Sequence, residues 1–183
     1  MKKKVFSEGI TPSLREVLHT REQRVLFQEK LLTLYPGETV VSFKLNIPGP
    51  VKDNEAIRKI FSILQEDLQS IVQEEGLQSS FEKVLFLSTG PEGFCVLKSS
   101  GVVVKTALMI LEEEAPLGRL YDLDVHERKV GLVHTISRKE VGHKERKCLL
   151  CSAPAKVCGR ARVHDVESLH AVMETMLEEE PRF

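Results

Sequence analysis

The sequence predicts an α+β protein. Apolar residues recur at helical spacing over four long stretches, β-branched and aromatic runs too short for helices lie between them, and Gly/Pro turn signals join neighbouring runs closely enough for antiparallel pairing. Thr11-Pro12 suits the start of the first helix, Thr as N-cap and Pro in the first helical position. Its apolar stripe is Leu14, Val17, Leu18, Val25, Leu26, Leu31 and Leu34, and Pro36-Gly37 ends it. Thr39 to Leu45 reads as a strand, broken by Asn46-Ile-Pro-Gly-Pro50. Asp53 caps a second helix carrying Ala56, Ile57, Ile60, Phe61, Leu64, Leu68, Ile71 and Val72, and Gly76 stops it. Val84 to Leu87 and Phe94 to Leu97 read as strands joined by a Gly90-Pro-Glu-Gly93 turn. Val102 to Glu114 continues too long for a strand and reads as a helix. The strand Tyr121 to Val125 follows, with Leu132 to Ile136 placed to pair with it as a hairpin. Asp165 to Glu179 is the last helix, with Val166, Leu169, Val172, Met173, Met176 and Leu177 on one face.

A chain of 183 residues is expected to form a single domain with a real core, and 42% apolar with 29% charged residues is ordinary for such a protein. The expected division is a core over 10–136, a basic Cys/His segment over 137–164 and a terminal helix over 165–180. No run approaches the roughly 18 apolar residues of a membrane span, so no membrane partner is expected. Met1 to Lys4 resembles the start of a signal peptide, but Ser7, Glu8, Gly9 and Pro12 follow where an apolar stretch should be. The expectation is a solvated terminus on a cytoplasmic protein. Three of the four cysteines fall within eleven residues, unlike a secreted disulfide framework.

The net charge of -1 hides an asymmetry. Arg128 to His164 carries ten Lys/Arg against two acids, whereas Asp165 to Phe183 carries six acids and one Arg. The basic block suits an anionic ligand or an acidic partner protein. Two tyrosines and no tryptophan argue against nucleic acid.

The segment from Pro116 to Val125, PLGRLYDLDV, carries the most chemistry. Asp122 and Asp124 alternate with Tyr121, Leu123 and Val125, so a strand points both carboxylates one way while their neighbours anchor in a core. Two like charges side by side call for a cation, and Mg²⁺ shared between carboxylates and substrate phosphates is a common solution. The plain alternative is a solvated strand face. Cys148, Cys151, Cys158 and His164, spaced C-x2-C-x6-C-x5-H, offer four ligands suited to tetrahedral Zn²⁺ in a structural role, or else a Cys-rich turn with buried thiols. Lys52, just before a helix start, is a candidate phosphate contact or a surface lysine. No Walker spacing surrounds it. Glu92 sits in a turn or in a loop facing the site. Arg21 and Arg24 share a helix face and can reach phosphates or decorate the surface. Arg160 and Arg162 are candidates for binding the partner or substrate.

Taken in order and spacing, IPGPVKD (47–53), STGPEG (88–93), PLGRLYDLDV and the KCLLC-x6-C-x5-H run resemble the holo-citrate lyase synthase family, the apo-citrate lyase phosphoribosyl-dephospho-CoA transferases. The resemblance covers nearly the whole chain. It implies a nucleotidyltransferase-like mixed sheet flanked by helices. It also implies transfer of 2′-(5″-triphosphoribosyl)-3′-dephospho-CoA to a serine of the acyl carrier (gamma) subunit of citrate lyase, with release of diphosphate. Asp122 and Asp124 would then hold Mg²⁺, and Arg119 would stabilise the leaving diphosphate. The pattern departs from many nucleotidyltransferases, which carry Gly-Ser about ten residues before the first aspartate. Here Gly118-Arg119 precedes Asp122 closely, which leaves the triphosphate loop unassigned and Glu112 and Glu127 as candidates for a third carboxylate. Some relatives are fused to the synthase that makes the precursor, for which 183 residues leave no room. The competing expectation is a non-catalytic module that docks the carrier or assists citrate lyase assembly.

Overall fold

The computed structural model describes residues 4–183, so the first three residues of the expected solvated terminus lie outside it. The chain runs α1 (Leu14–Leu34), β1 (Thr39–Leu45), α2 (Glu55–Glu74), β2 (Ser79–Leu87), β3 (Gly90–Leu97), α3 (Gly101–Glu114), β4 (Tyr121–Lys129), β5 (Leu132–Thr135), α4 (Ala155–Ala161) and α5 (Val166–Glu179), with 3₁₀ turns at Gly118–Leu120 and Arg138–Val141. The α+β class expected from sequence is what forms. The five strands make one sheet in the order β2-β3-β1-β4-β5.

Every pairing is antiparallel, where a mixed sheet was expected. The reason is the connections. Tight turns fold β2 onto β3 and β4 onto β5, and the helical crossovers return each strand against the direction of its neighbour. The expected Gly90–Gly93 turn is a second correction: these residues form the first half of β3, with Gly93 opposite Phe43, and the chain reverses at Ser88-Thr89.

The sheet buries one face under α2 and α3, whose Ile57, Ile60, Phe61, Leu64, Val104 and Leu108 pack against Val41, Phe43, Leu123 and Val125; Met173 and Leu177 of α5 join the same core. The α2 stripe is as read from sequence, but the cap is Asn54, whose Oδ1 accepts from the Ile57 N–H at 2.8 Å; Asp53 is instead buried in a two-pronged pair with Arg58. The other face is covered only in part, by α1. The helix starts two residues later than Thr11-Pro12 implies, because Ser13 and Glu16 form a reciprocal capping box. Its expected stripe is also corrected: Leu14, Leu18, Val25, Leu26 and Leu34 are exposed, and α1 docks through Leu31, Leu32 and the half-buried Phe27 onto Val40, Phe94 and Val96. Helical spacing sees a face but not which neighbour exists to cover it. The end of the sheet that α1 leaves open carries the polar side chains.

No described helix is long and apolar enough to cross a membrane.

Candidate active site

Strand parity builds the site. In register, Glu92 of β3, Lys44 of β1 and Asp122 of β4 form one rung across the sheet; Phe94, Ser42 and Asp124 form the next, and Val96, Val40 and His126 the third. Pairing in register puts these side chains on one face, the face α1 covers at its far end and leaves free at the aspartates. The Lys44 ammonium lies 2.5 Å from Asp122 Oδ2 and 3.5 Å from Asp124 Oδ2. Two carboxylates therefore converge on one cation, as their strand spacing implies. That geometry fits a pair able to share a positive ion.

β5 pairs with β4 only from His126 to Lys129, which leaves the outer edge of Tyr121–Val125 without a strand partner. Three donors fill that edge: Arg146 Nη1 to Tyr121 O at 2.8 Å, Lys105 Nζ to Leu123 O at 2.9 Å, and Ile136 N to Val125 O at 2.9 Å. Satisfying the open backbone thus brings two cations beside the aspartates. Lys105 is buried and is the one charge in the first eleven residues of α3, and burial holds its pKa below the ordinary lysine value. Over the aspartates lies a cleft of about 690 Å³, whose walls include Lys105, Arg138, Lys139, Arg146 and Lys156. Glu112 also lines it, but is already held by Arg138 and, at 2.7 Å, by Arg146. Glu127 falls on the opposite parity from the aspartates, beside Gly101 beneath the sheet.

Behind Asp124 a polar cluster fastens α1 to the sheet. Gln28 Nε2 lies 2.9 Å from both Ser42 Oγ and His126 Nε2, and His126 Nδ1 is 2.9 Å from Thr135 Oγ1. Burial lowers the His126 pKa, which favours the neutral ring.

Gly118 has a packing role. A Cβ there would lie 2.7 Å from the carbonyl oxygens of both Leu111 and Glu112, so only glycine lets the turn press against the end of α3 and aim β4. Arg119 beside it donates to Lys147 O and lines the neighbouring cavity rather than the aspartate cleft. Arg24, half-buried, and the buried Glu92 are brought together as a pair at 2.5 Å. Lys52 donates to Ile47 O at 2.6 Å, tying down its own loop, with its pKa lowered by burial. Arg24, Glu92, Lys44 and Lys52 surround a gap of only about 40 Å³. That space is too small for a phosphate chain. Arg21 and Arg160 are exposed on α1 and α4 and are not among the residues lining the aspartate cleft, while Arg162 lines the neighbouring cavity.

The Cys/His segment does come together. The Cys148 N–H donates to Ala153 O and the Ala155 N–H to Arg146 O, curling the chain into a knuckle that leads into α4. Arg162, in the left-handed region at φ 48°, turns the chain back so that His164 meets the cysteines. The ligand atoms of Cys148, Cys151, Cys158 and His164 lie within 4.8 Å of one another, with Cys151 Sγ 3.5 Å from Cys158 Sγ and 3.4 Å from His164 Nε2. Tetrahedral zinc sets such atoms about 3.5–3.8 Å apart. The group is compatible with a structural zinc. Cys95 stands apart beneath the sheet, its thiol pushed up to about 12 by burial.

Sequence reading missed Lys44, Lys105, Arg138 and Arg146. A signal existed for two of them: Ser42 and Lys44 alternate with Val41, Phe43 and Leu45 as the aspartates do with their neighbours, and Lys105 is a lone charge amid GVVVKTALMIL.

Comparison with known proteins places this chain among transferases. Residues 12–180 match the CitX family, described as apo-citrate lyase phosphoribosyl-dephospho-CoA transferase. The chain belongs to that family. It is 34% identical over 177 residues to the probable apo-citrate lyase phosphoribosyl-dephospho-CoA transferase of Streptococcus pyogenes serotype M5 (strain Manfredo), covering 97% of this chain and 91% of that one. Identity is 38% over 168 residues with the protein of the same description from Vibrio cholerae serotype O1 (strain M66-2), covering 91% and 92%. Protein CitXG of Leuconostoc mesenteroides subsp. cremoris is 33% identical over 174 residues, which are 94% of this chain but 36% of that longer one.

Proposed function

We propose that the protein attaches a phosphoribosyl-dephospho-CoA group to citrate lyase, taking it from 2′-(5″-triphosphoribosyl)-3′-dephospho-CoA and placing it on a serine of the acyl carrier (gamma) subunit. The observation that carries this reading is the convergence of Asp122 and Asp124 on one cation position beneath a cation-lined cleft, in a chain whose relatives bear that transferase's name. The serine oxygen forms a bond to the α-phosphorus, the bond from that phosphorus to the bridging oxygen breaks, diphosphate leaves with the electron pair, and the serine proton goes to solvent. A magnesium ion held by Asp122 and Asp124 would supply charge neutralisation at the phosphates.

The chain's own residues do the positioning. Lys139 and Lys156, both exposed at the cleft, gather the triphosphate, while Arg138 and Arg146 are braced by Glu112 and hold fixed positive charge along its wall. Lys105 fixes the β4 edge at Leu123, between the two aspartates. Lys44, once released from the aspartates, is a further cation within reach of a phosphate. Arg119 lines the adjoining cavity, and in this reading it takes no part at the leaving group. In this reading the chain is one cytoplasmic transferase domain, with zinc on Cys148, Cys151, Cys158 and His164 bracing the basic segment.

The test is the mass of apo-carrier incubated with precursor, Mg²⁺ and protein. Asp122→Asn or Asp124→Asn should slow transfer at least a hundredfold while leaving carrier binding intact. Full transfer by either variant would sink the mechanism, and absence of transfer by the native protein would favour a non-catalytic docking module.

A further inference from the structure

The aspartate cleft is half of a longer groove. A second cavity of about 630 Å³ lies between the Cys/His segment and the Pro48-Gly49 turn, and the two share Asn46, Arg146, Ala155 and Gly159 along their seam. Its lining combines apolar Leu149, Val166 and Leu169 with the cations Arg119, Lys147 and Arg162 and one carboxylate, Asp165, which already accepts from the Ser168 N–H and hydroxyl. An apolar cavity with a few convergent cations is suited to a nucleotide, the base against the apolar wall and the phosphates against the charges.

Arg162 adds a second indication. It occupies a left-handed backbone position at the end of α4 that glycine takes without strain, and at Gly159, three residues earlier, a Cβ would meet nothing within 4 Å beyond its own stretch of helix. An arginine sits where the backbone prefers glycine, and a glycine sits where the backbone would accept a side chain. Both exceptions fall on the lining of this cavity, one supplying charge to it and the other leaving its seam clear.

Resting on the transferase reading, we infer that this second cavity binds the dephospho-CoA portion of the substrate, with the adenosine at the shared seam and its 5′-diphosphate against Arg162 and Lys147. The substrate's covalent order requires such a neighbour: the triphosphate hangs from a ribose joined to the adenosine, so the nucleotide must lie one sugar away from the aspartates. Cys148, Cys158 and His164 line the same cavity. The metal-suited group is thereby the rear wall of a binding site.

The probe is dephospho-CoA alone, which lacks the triphosphate arm, titrated calorimetrically into the full-length protein. One equivalent should bind. Arg162→Gly, which suits its backbone, should weaken binding about tenfold, the loss of one charge-assisted hydrogen bond. Gly159→Trp should weaken it at least tenfold by filling the seam. It also introduces a tryptophan into a chain that has none, so a thermal melt followed by its fluorescence reports that the fold is kept. Tripolyphosphate, which engages only the aspartate cleft, should bind Arg162→Gly as it binds the native protein. No binding of dephospho-CoA to the native protein, unchanged affinity in both variants, or equal weakening of tripolyphosphate by Arg162→Gly would each overturn the inference. If dephospho-CoA binding behaves as stated but no carrier is modified, the cavity stands and the transfer reaction falls; modified carrier with unaltered binding in both variants overturns the cavity alone.

Discussion

Lys44→Met isolates the relation between the lysine and the paired aspartates. The ammonium lies 2.5 Å from one carboxylate and 3.5 Å from the other, at the position a divalent ion would share. The carboxylate side chains are 42% and 44% exposed, so solvent screens both contacts heavily. Each contact then contributes the 0.2–1 kcal/mol typical of exposed pairs, roughly 0.5–1.5 kcal/mol in all. A metal binding between Asp122 and Asp124 must displace the ammonium at that cost. Removing the competitor should therefore tighten metal binding by about 2- to 12-fold, since each 1.36 kcal/mol is tenfold. The assay is titration with Mn²⁺, free ion followed by its electron paramagnetic resonance signal, with any zinc left in place. Transfer should nevertheless slow, because methionine cannot meet a phosphate. An unchanged or weaker Mn²⁺ affinity in Lys44→Met would show that the lysine and the metal do not contest one site, and would remove the observation on which the magnesium assignment rests.

Gly118→Ala should cost about 2 kcal/mol of stability, because its Cβ would meet two carbonyl oxygens at 2.7 Å in a packed turn; a urea midpoint equivalent to a loss under about 0.5 kcal/mol would refute the close-approach argument. His126 gives a pH dependence. Burial holds its folded pKa below the ordinary 6.5, so below pH 6.5 the unfolded chain takes up a proton that the folded chain refuses. Stability should be level above that pH and fall as the pH drops toward the folded pKa. His126→Asn should flatten the fall between pH 7.5 and 5.5 in urea melts, and an unaltered slope would contradict it. Elemental analysis should find about one zinc per chain, with chelation lowering the melting temperature; less than about 0.3 equivalents would discard the site.

Much of the site was legible because strands and metal clusters leave short-range marks. The alternation in YDLDV put Asp122 and Asp124 on one face, and the spacing from Cys148 to His164 marked four side chains suited to one metal. The α2 stripe was equally readable, being apolar on one side and covered by a sheet. The α1 stripe was not, since Leu14, Leu18 and Val25 are as apolar as core residues and only the extent of the sheet beneath the helix leaves them in solvent. Arg119 looked like part of the aspartate motif because it is close in sequence, but the 3₁₀ turn directs it to the adjoining cavity.

What the sequence determined by itself was local: the α+β class, the outward pair of carboxylates, the Cys/His spacing and the family that these motifs mark. Periodicity and spacing encode such features because they depend on neighbours a few residues away. Tertiary structure decided what meets the aspartates. Lys44 arrives from a strand 78 residues distant through antiparallel register, and Arg146 arrives because β5 stops short and leaves the Tyr121 carbonyl in need of a donor. PLGRLYDLDV thus supplied the charges, while the pairing of β1 with β4 and the unfilled edge beyond it made them a site.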